Sequence, residues 1–211
     1  MKCLIVANGR IESLSFIEKI IKEHDYIICA DGGAKHLFKL KIMPNVIIGD
    51  LDSIDEESKH YFYENKVEFY KFPSKKDYTD TELAIRYATK KNAKEITIIG
   101  AIGTRMDHTL ANITLLLPLV KKNIKAKMID ENNEIMVIDK KTKINGNVGE
   151  YVSIIPLSEE VTGITLKGFE YVLENQTICM GSSMGVSNRF SDSCASITVD
   201  KGNLLVIKAR D

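Results

Sequence analysis

Six short apolar runs in the first 130 residues constrain the fold more than any other feature of this sequence. Each run neighbours a segment whose apolar side chains have helical spacing; the runs are CLIVA, YIICA, NVIIG, VEFYKF, EITIIG and AKMID. Strands that alternate with helices are typical of a parallel sheet with helices on both faces. We therefore predict a three-layer α/β domain over residues 1–131. Ser53 and Thr79, each followed three residues later by Glu, predict the N-caps of two of its helices.

The pattern changes at about residue 132. Strand-like runs now follow one another without a convincing helix, separated by Gly, Asn, Ser and Asp; they are EIMVID, YVSIIPL, GITLKG, QTICMG, ASITVD and NLLVIKA. Short strands of this kind predict a small all-β sandwich or barrel over residues 132–211. The segment DENNE, residues 130–134, is the natural joint between the two parts.

Charge and cysteine content exclude several classes of protein. Lys and Arg (29) balance Asp and Glu (29), so no overall field attracts the chain to nucleic acid or to an anionic membrane. The four cysteines lie far apart without a CxxC pair, and three have apolar neighbours, which predicts reduced core residues. The longest apolar stretch, ITLLLPLV, is too short to span a bilayer, and the N-terminus becomes polar too soon for a signal peptide. We predict a cytoplasmic protein with no nucleic-acid or membrane partner.

Acidic residues follow most of the predicted strands. In an open parallel sheet, ligands bind at the carboxyl ends of the strands, so these side chains are candidates for a site. If the strands are parallel, several carboxylates gather at one edge of the sheet. The acidic residues at these ends are Asp31, Asp50, Asp52, Asp77, Asp80 and Asp107.

Such a cluster repels itself and raises the pKa of its members unless a cation neutralises the charge. Magnesium suits it, because this ion prefers oxygen ligands and binds one or two carboxylates together with substrate phosphates. Asp50 and Asp52 lie one residue apart on what we predict to be an extended loop, so both side chains are expected to point the same way. The sequence therefore predicts a magnesium site that includes this pair.

Several of these residues also have a structural interpretation. Asp80 and Asp107 stand where helices are predicted to begin, and an acid there stabilises the helix dipole by about 0.3–1 kcal/mol without any function. Asp31 precedes Gly-Gly and, taken alone, is better explained as a turn residue. His108, in the first turn of a predicted helix, is more commonly a capping or packing residue than a general base. For the neighbouring pair at 50 and 52 function is favoured, because nothing structural requires two acids between a buried strand and a helix.

Glycines mark the same strand ends, where the backbone adopts unusual dihedral angles or allows a ligand to approach closely. They are Gly32, Gly33, Gly49, Gly100 and Gly103. Neither GxxxxGK[ST] nor GxGxxG occurs, so a Walker loop or a dinucleotide fingerprint is excluded. Arg105 offers a bidentate donor to a phosphate, although a single arginine in a loop is more often only solvated.

Several segments together, in this order and spacing, resemble the thiamine pyrophosphokinase family. They are DGGAKHL, PNVIIGDLDS, KDYTDTELAI, GAIGTRMDHTLANI, DENNE and GSSMGVSNRF, which together cover nearly the whole chain. The resemblance implies an α/β catalytic domain that binds ATP and Mg²⁺, and a C-terminal β-sandwich that helps to bind thiamine. It also implies a homodimer whose active sites lie between subunits.

The resemblance assigns roles to individual positions. The acids of the GDxDS motif and the first acid of DxxTD coordinate magnesium in the family; they correspond to Asp50, Asp52 and Asp77. The DGG and RxDH motifs contact ATP or its magnesium; the corresponding residues are Asp31, Gly32, Arg105, Asp107 and His108. The C-terminal GxSN motif lies near the aminopyrimidine of thiamine and supplies Ser187 and Asn188. Some members stack thiamine against a tryptophan; this chain has none, so Phe190 or a residue of the other subunit is expected instead.

Both lines of inference predict phosphoryl transfer by positioning and charge neutralisation, with Asp50, Asp52, Asp77, Asp80 and Arg105 as catalytic residues. The thiamine hydroxyl attacks the β-phosphorus of ATP as AMP departs, and the aspartate at 77 or 80 accepts the proton. Two alternatives remain at this stage. One is a diphosphokinase for another alcohol, such as a pterin alcohol, and the other is a non-catalytic sensor of nucleotide or thiamine diphosphate.

Overall fold

The computed structural model describes residues 1–73 and 77–210. The chain divides into two compact units, Met1–Glu131 and Asn132–Asp211. The first unit is a parallel sheet with helices, and the second consists of antiparallel strands. The predicted fold class is therefore confirmed.

The first unit contains six parallel strands among its described residues. The strands are β1 (Lys2–Val6), β2 (Tyr26–Ala30), β3 (Val46–Gly49), β4 (Glu68–Lys71), β5 (Glu95–Ile99) and β6 (Lys125–Ile129). They correspond one for one to the six apolar runs of the sequence. The helices are α1 (Leu14–Ile21), α2 (Ala34–Lys39), α3 (Glu56–Glu64), α4 (Asp80–Lys90), α5 (Met106–Thr114) and α6 (Leu117–Lys121).

The order of these strands across the sheet is β6-β5-β1-β2-β3-β4. The chain first runs outward from β1 to β4 and then returns to place β5 on the other side of β1. Because parallel crossovers are right-handed, this reversal puts α1 to α3 on one face and α4 to α6 on the other. A crevice therefore opens between β1 and β5 at the carboxyl edge, where α/β proteins bind ligands.

The core follows from the burial of both faces of the central strands. Ile17 of α1, Leu37 of α2 and Phe62 of α3 are fully buried against side chains of β1, β2 and β3. On the return crossover, α4 contacts β1, β2 and β3 and buries Leu83 and Ala84. The central strands are therefore apolar on both faces, which explains their nearly continuous apolar sequences.

One of the two predicted N-caps is wrong. Thr79 caps α4 as expected, because its hydroxyl accepts a hydrogen bond from the backbone N–H of Glu82. The cap of α3 is Asp55, whose carboxylate accepts from the N–H of Ser58 at 2.8 Å. The hydroxyl of Ser53 instead donates to Asp52 at 3.1 Å. Ser53 therefore belongs to the acidic loop rather than to the helix.

The second unit forms a sandwich of two antiparallel sheets. One contains the neighbours β12-β9-β14-β7 and the other the neighbours β11-β10-β13-β8. The strands are β7 (Asn133–Ile138), β8 (Thr142–Asn145), β9 (Tyr151–Pro156), β10 (Glu160–Lys167), β11 (Leu173–Cys179), β12 (Asn188–Arg189), β13 (Cys194–Thr198) and β14 (Leu204–Ala209). Six correspond to predicted runs; β8 and β12 were not predicted. Alternate residues such as Val152 and Ile154 point into the shared core.

All four cysteine thiols are free. Cys3 and Cys29 are buried, and burial raises the pKa of the Cys3 thiol to about 11. Cys179 and Cys194 are exposed, so the core position expected for a third cysteine is wrong. Among the helices of the described residues, none has the length and apolar character needed to cross a membrane.

We expect Gly33→Ala to destabilise the first unit by about 1–3 kcal/mol, as overpacked substitutions do. A Cβ at Gly33 would lie 2.3 Å from the carbonyl oxygen of Val6, and backbone cannot rotate away as a flexible side chain does. Gly103→Ala is the matched control, because a Cβ there meets nothing within 4 Å. Its effect should stay within about 0.5 kcal/mol. Urea unfolding followed by circular dichroism measures both, and equal losses would contradict the close approach at Gly33.

Candidate active site

A cleft of about 610 Å³ opens at the carboxyl edge of the parallel sheet. Its walls are the loop after β1 (residues 7–13, the β1–α1 loop), the end of β2, the loop after β5 (residues 100–105, the β5–α5 loop) and the first turns of α4 and α5. It occupies the crevice that the strand order creates between β1 and β5. The location therefore follows from topology.

Three carboxylates converge at the carboxyl edge of the sheet, and one of them, Asp31, lines the cleft. Asp31, Asp50 and Asp52 each offer an oxygen, and these three oxygens lie within 4.8 Å of one another. Asp31 is only 3% exposed, and its Oδ1 is buried without a hydrogen-bond partner among residues 1–73 and 77–210. A buried carboxylate oxygen without a partner costs free energy unless a ligand satisfies it.

The electrostatic surroundings of Asp31 favour the binding of a cation. Burial raises the pKa of Asp31, and the charges of Asp80, Asp50 and Asp52 raise it further, while the nearby hydroxyl of Ser53 acts in the opposite direction. A divalent cation bound to these oxygens removes both the repulsion and the unsatisfied acceptor. Oxygen-only donors on separate loops suit a hard ion such as Mg²⁺.

Backbone geometry makes this convergence possible. Asp31 has φ 42°, in the left-handed region that Asp tolerates better than most residues. A Cβ at Gly49 would lie 2.8 Å from the Cβ of Asp31 and 3.0 Å from Oδ1 of Asp80. Only glycine at position 49 therefore lets these two acids approach the end of β3.

The loop that carries Asp50 and Asp52 is not extended as predicted. Leu51, between them, has φ 69°, and the N–H of Asp52 faces Oδ1 of Asp50 at 3.4 Å. The loop therefore turns sharply. The two carboxylates still come together, but through a turn and not through the two-residue repeat of a strand.

Asp77 and Asp80 have different positions although they lie on one segment. Asp80, the first residue of α4, lines the cleft, whereas Asp77 is exposed and stands outside the three-carboxylate group. The segment between them is held from α4. The Arg86 guanidinium lies 3.9 Å from the ring centroid of Tyr78 and contacts Glu82 at 2.8 Å.

Arg105 and His108 line the same cleft at the start of α5. The Arg105 guanidinium donates to both carboxylate oxygens of Asp107, at 3.3 and 2.6 Å, and all three side chains are exposed. The hydrogen bond from Arg105, with one from the N–H of His108, lowers the pKa of Asp107 to about 2. His108 is exposed and lines the cleft, so its side chain is accessible to a ligand.

The β1–α1 loop was missed by sequence reasoning, yet side chains from elsewhere hold it in place. Lys35 donates from Nζ to Oδ1 of Asn8 at 2.7 Å, and buried His36 donates from Nε2 to the carbonyl oxygen of Gly9 at 2.7 Å. The carboxylate of Glu131 accepts from two backbone N–H groups further along the loop. Burial lowers the pKa of His36. Because the carbonyl oxygen of Gly9 can only accept, Nε2 carries the proton of this hydrogen bond.

The β5–α5 loop is held in a similar way by α5. Thr109 exchanges hydrogen bonds with both the N–H and the carbonyl oxygen of Gly103 at 3.2 Å. Asn112, one turn further, donates to the carbonyl oxygen of Ala101 at 2.9 Å. Both side chains are buried and line the cleft, and their spacing on one helix face is the sequence signal for this role. The walls of the cleft are therefore fixed before any ligand binds.

In the second unit, the residues expected near thiamine have unequal access to a ligand. Ser187 is exposed, whereas Asn188 is buried, and its amide bonds both backbone polar groups of Tyr171. Phe190 is fully buried against Phe169 in the sandwich core, so it is excluded as a stacking partner. Tyr171, held by Asn188, is 70% exposed. The exposed aromatic next to the GxSN motif is therefore Tyr171.

Known proteins match both units. A family model described as the catalytic domain of thiamin pyrophosphokinase matches residues 17–128. A second, described as the vitamin B1 binding domain of thiamin pyrophosphokinase, matches residues 136–204. The thiamine pyrophosphokinase of Bacillus subtilis is 34% identical over 209 residues, which cover 98% of each chain.

Solved structures agree with these matches over the whole chain. The crystal structure of the Bacillus subtilis thiamine pyrophosphokinase superposes with a TM-score of 0.91 at 34% identity and full coverage of both chains. That of the Geobacillus thermodenitrificans thiamin pyrophosphokinase gives a TM-score of 0.86 at 29% identity, covering 100% of this chain and 98% of the other. The resemblance inferred from the sequence motifs is confirmed.

We expect Asp31→Asn to raise the thermal unfolding midpoint of the metal-free protein at neutral pH. Because the pKa of Asp31 is raised on folding, its carboxyl stabilises the fold at low pH and loses that contribution as the pH rises through the folded-state pKa. The increase in the unfolding midpoint caused by Asp31→Asn should therefore appear at pH 8 and become smaller toward pH 4. Scanning calorimetry in EDTA measures it.

Mg²⁺ should then stabilise the wild type but not Asp31→Asn. Asp192→Asn, at an exposed position in the second unit, is the control and should leave both the midpoint and the response to Mg²⁺ unchanged. Equal stabilisation of the wild type and Asp31→Asn by Mg²⁺ would exclude Asp31 from the cation site.

Proposed function

The chain belongs to the thiamin pyrophosphokinase family, and from this premise we propose how its own residues transfer the pyrophosphoryl group of ATP to the hydroxyl of thiamine. The products are thiamine diphosphate and AMP. The observation that carries the proposal is the convergence of Asp31, Asp50 and Asp52 at the carboxyl edge of the sheet, where Asp31 also lines the cleft. A triphosphate chain needs cations to neutralise its charge. Carboxylates that can bind a cation gather at this edge of the parallel sheet.

We assign the magnesium site to Asp50 and Asp52, completed by Asp31. The unsatisfied Oδ1 of Asp31 is the physical support for its inclusion. Asp77, which is exposed and precedes α4, is proposed to bind the magnesium ion once this ion has entered with ATP. When bound, Mg²⁺ supplies a positive charge that neutralises the phosphates and polarises the phosphorus under attack.

The nucleotide side of the site is assigned to the residues around the start of α5 and the end of β2. Arg105 is proposed to bind the phosphates, with Asp107 holding its guanidinium in a fixed orientation through two hydrogen bonds. His108, in the first turn of α5, is proposed to border the nucleotide. Gly32, expected from the resemblance to contact ATP, is buried, and it leaves room for the side chain of Asn8 beside Asp31.

The transfer step needs a group that takes the hydroxyl proton. The oxygen of thiamine forms a bond to the β-phosphorus as the bond to the α-phosphate oxygen breaks, and AMP leaves with that oxygen. Between the two aspartates considered from the sequence, we propose Asp80 as the proton acceptor. It lines the cleft next to Asp31, whereas Asp77 lies outside the carboxylate group.

Thiamine is proposed to bind on the second unit, with the ring of Tyr171 against its cationic thiazolium. An aromatic face attracts a cation by about 0.5–2 kcal/mol, depending on desolvation. Ser187 offers a hydroxyl beside it, and Asn188 acts indirectly by holding the backbone of Tyr171. Tyr171 thus replaces the tryptophan found in some family members.

We further propose that the protein acts in the cytoplasm as a homodimer with active sites between subunits. Support for a partner surface comes from large apolar side chains that the second unit exposes, among them Val148, Val172 and Val186. Buried Cys3 and Cys29, with free thiols, suit a reducing compartment.

The first experiment measures AMP and thiamine diphosphate with ATP as donor, with and without thiamine and Mg²⁺. We expect AMP only when both are present. Asp50→Asn should lower kcat by about 100-fold or more, because it removes a ligand whose charge stabilisation is worth several kcal/mol. Glu57→Gln, an exposed acid in the first turn of α3, is the control and should retain full activity.

Two other outcomes separate the alternative functions. Turnover with a pterin alcohol but not with thiamine would indicate a different diphosphokinase. ATP binding without AMP formation under any of these conditions would indicate a nucleotide sensor.

The thiamine side is tested independently at Tyr171. Tyr171→Ala should raise the KM for thiamine by about tenfold and leave the KM for ATP unchanged, because the aromatic contact is lost. Tyr171→Phe keeps the ring and should behave like the wild type. Both variants preserve the backbone groups that Asn188 binds, so the loop is retained. An unchanged KM for thiamine in Tyr171→Ala would remove this residue from the binding site.

A further inference from the structure

Asn8, the second residue after β1, is held by a lysine from another element. Lys35 of α2 donates from Nζ to the carbonyl oxygen of Asn8 at 2.9 Å and to its side-chain Oδ1 at 2.7 Å. Ordering the long side chain of a lysine costs conformational entropy, which these two hydrogen bonds to one residue offset. The paired contact therefore indicates that the position of the Asn8 amide matters.

Gly32 fixes the same amide from the other direction. A Cβ at Gly32 would lie 2.5 Å from both Cγ and Nδ2 of Asn8 and 2.6 Å from Oδ1. The amide of Asn8 therefore packs directly on the backbone next to Asp31, in space that any larger residue at 32 would fill. Because Lys35 identifies Oδ1 as the acceptor, the N–H groups of Nδ2 are the donors that Asn8 offers to a ligand.

The cleft is also lined by positively charged side chains that donate hydrogen bonds, and the amide of Asn8 lies among them. Asn8, Arg10 and Arg105 line the cleft, with the Lys35 ammonium directly behind Asn8. The carboxylate group at Asp31 lies beyond Gly32. Burial lowers the pKa of Lys35, with a further contribution from Lys39, so its charge is incompletely solvated and gains from a nearby anion. A polyanion with a bound cation fits this arrangement, because its oxygens can accept hydrogen bonds from the donors while its cation binds the carboxylates.

We propose that Asn8 binds a phosphate oxygen of ATP through its side-chain amide and that Lys35 positions this amide. The inference rests on the proposed function and adds a binding residue and a positioning residue to it. Lys35 acts through Asn8, so replacing either one weakens the same interaction. The β1–α1 loop thereby takes the place of the Walker loop that the sequence lacks.

The test uses calorimetric titration of the full-length protein with Mg²⁺ and α,β-methylene-ATP, a triphosphate that resists cleavage at the transferred bond. Asn8→Asp, which keeps the shape and can still pair with Lys35, should weaken binding by about tenfold or more, because a carboxylate replaces the donor and repels phosphate. Adenosine, which lacks phosphates, should bind equally to both proteins. Equal affinity of wild type and Asn8→Asp for the triphosphate would overturn the inference, as would an equal loss for adenosine.

Lys35 is tested with a charge-matched control on the same helix. Lys35→Met should weaken triphosphate binding by about five- to tenfold, and Lys35→Arg should restore most of it, because a donor returns. Lys39→Met removes the same charge from α2 at another exposed position and should have little effect. Equal losses in Lys35→Met and Lys39→Met would show a general charge effect and contradict the positioning role.

Two measurements separate this inference from the proposed function. Unfolding midpoints of all variants should match the wild type, which excludes a simple loss of fold. AMP formation by the wild type tests the reaction itself. If the wild type turns over and Asn8→Asp binds the triphosphate normally, only the role of Asn8 fails; if the wild type neither binds the triphosphate nor forms AMP, both fail.

Discussion

Repulsion among carboxylates at one edge of a parallel sheet is the constraint on which the rest of this structure depends. Asp31 is buried with an unsatisfied oxygen, and Asp50, Asp52 and Asp80 surround it. A fold that only needed stability would separate these charges. Gly49 and the left-handed backbone at Asp31 instead bring them together. A cation bound to these oxygens relieves their repulsion, so affinity for metal and stability of the fold are coupled.

The two loops that form the other walls of the cleft are held by hydrogen bonds with side chains outside them. His36 and Glu131 hold the β1–α1 loop, while Thr109 and Asn112 hold the β5–α5 loop. Three of these side chains come from helices, and Glu131 lies two residues after β6. Binding a metal-triphosphate complex therefore requires little reorganisation of the loops, and pre-organisation of this kind lowers the entropy cost of binding.

Much of this architecture follows from local sequence patterns, and the failures have physical causes. Apolar runs predicted the six parallel strands, and the parallel rule predicted that their acidic ends would meet. Strand β12 is only two residues long, so no periodicity exists to detect it. Phe190 is buried and Tyr171 exposed because of contacts across the sandwich, which a linear sequence does not contain. Asn8 gave no signal, since its role depends on Lys35, 27 residues away.

The position of β1 has a consequence for how the chain assembles. This N-terminal strand lies in the interior of the parallel sheet, between β2 and β5, with Lys2 opposite Glu95 and Val6 opposite Ile99. During synthesis, the edge of β1 that pairs with β5 stays unpaired until β5 has been made, about 90 residues later. The crevice is absent until then, so a nascent chain cannot gain stability from nucleotide. Contacts of such long range slow folding, and they leave an unpaired edge for chaperones to protect on the ribosome.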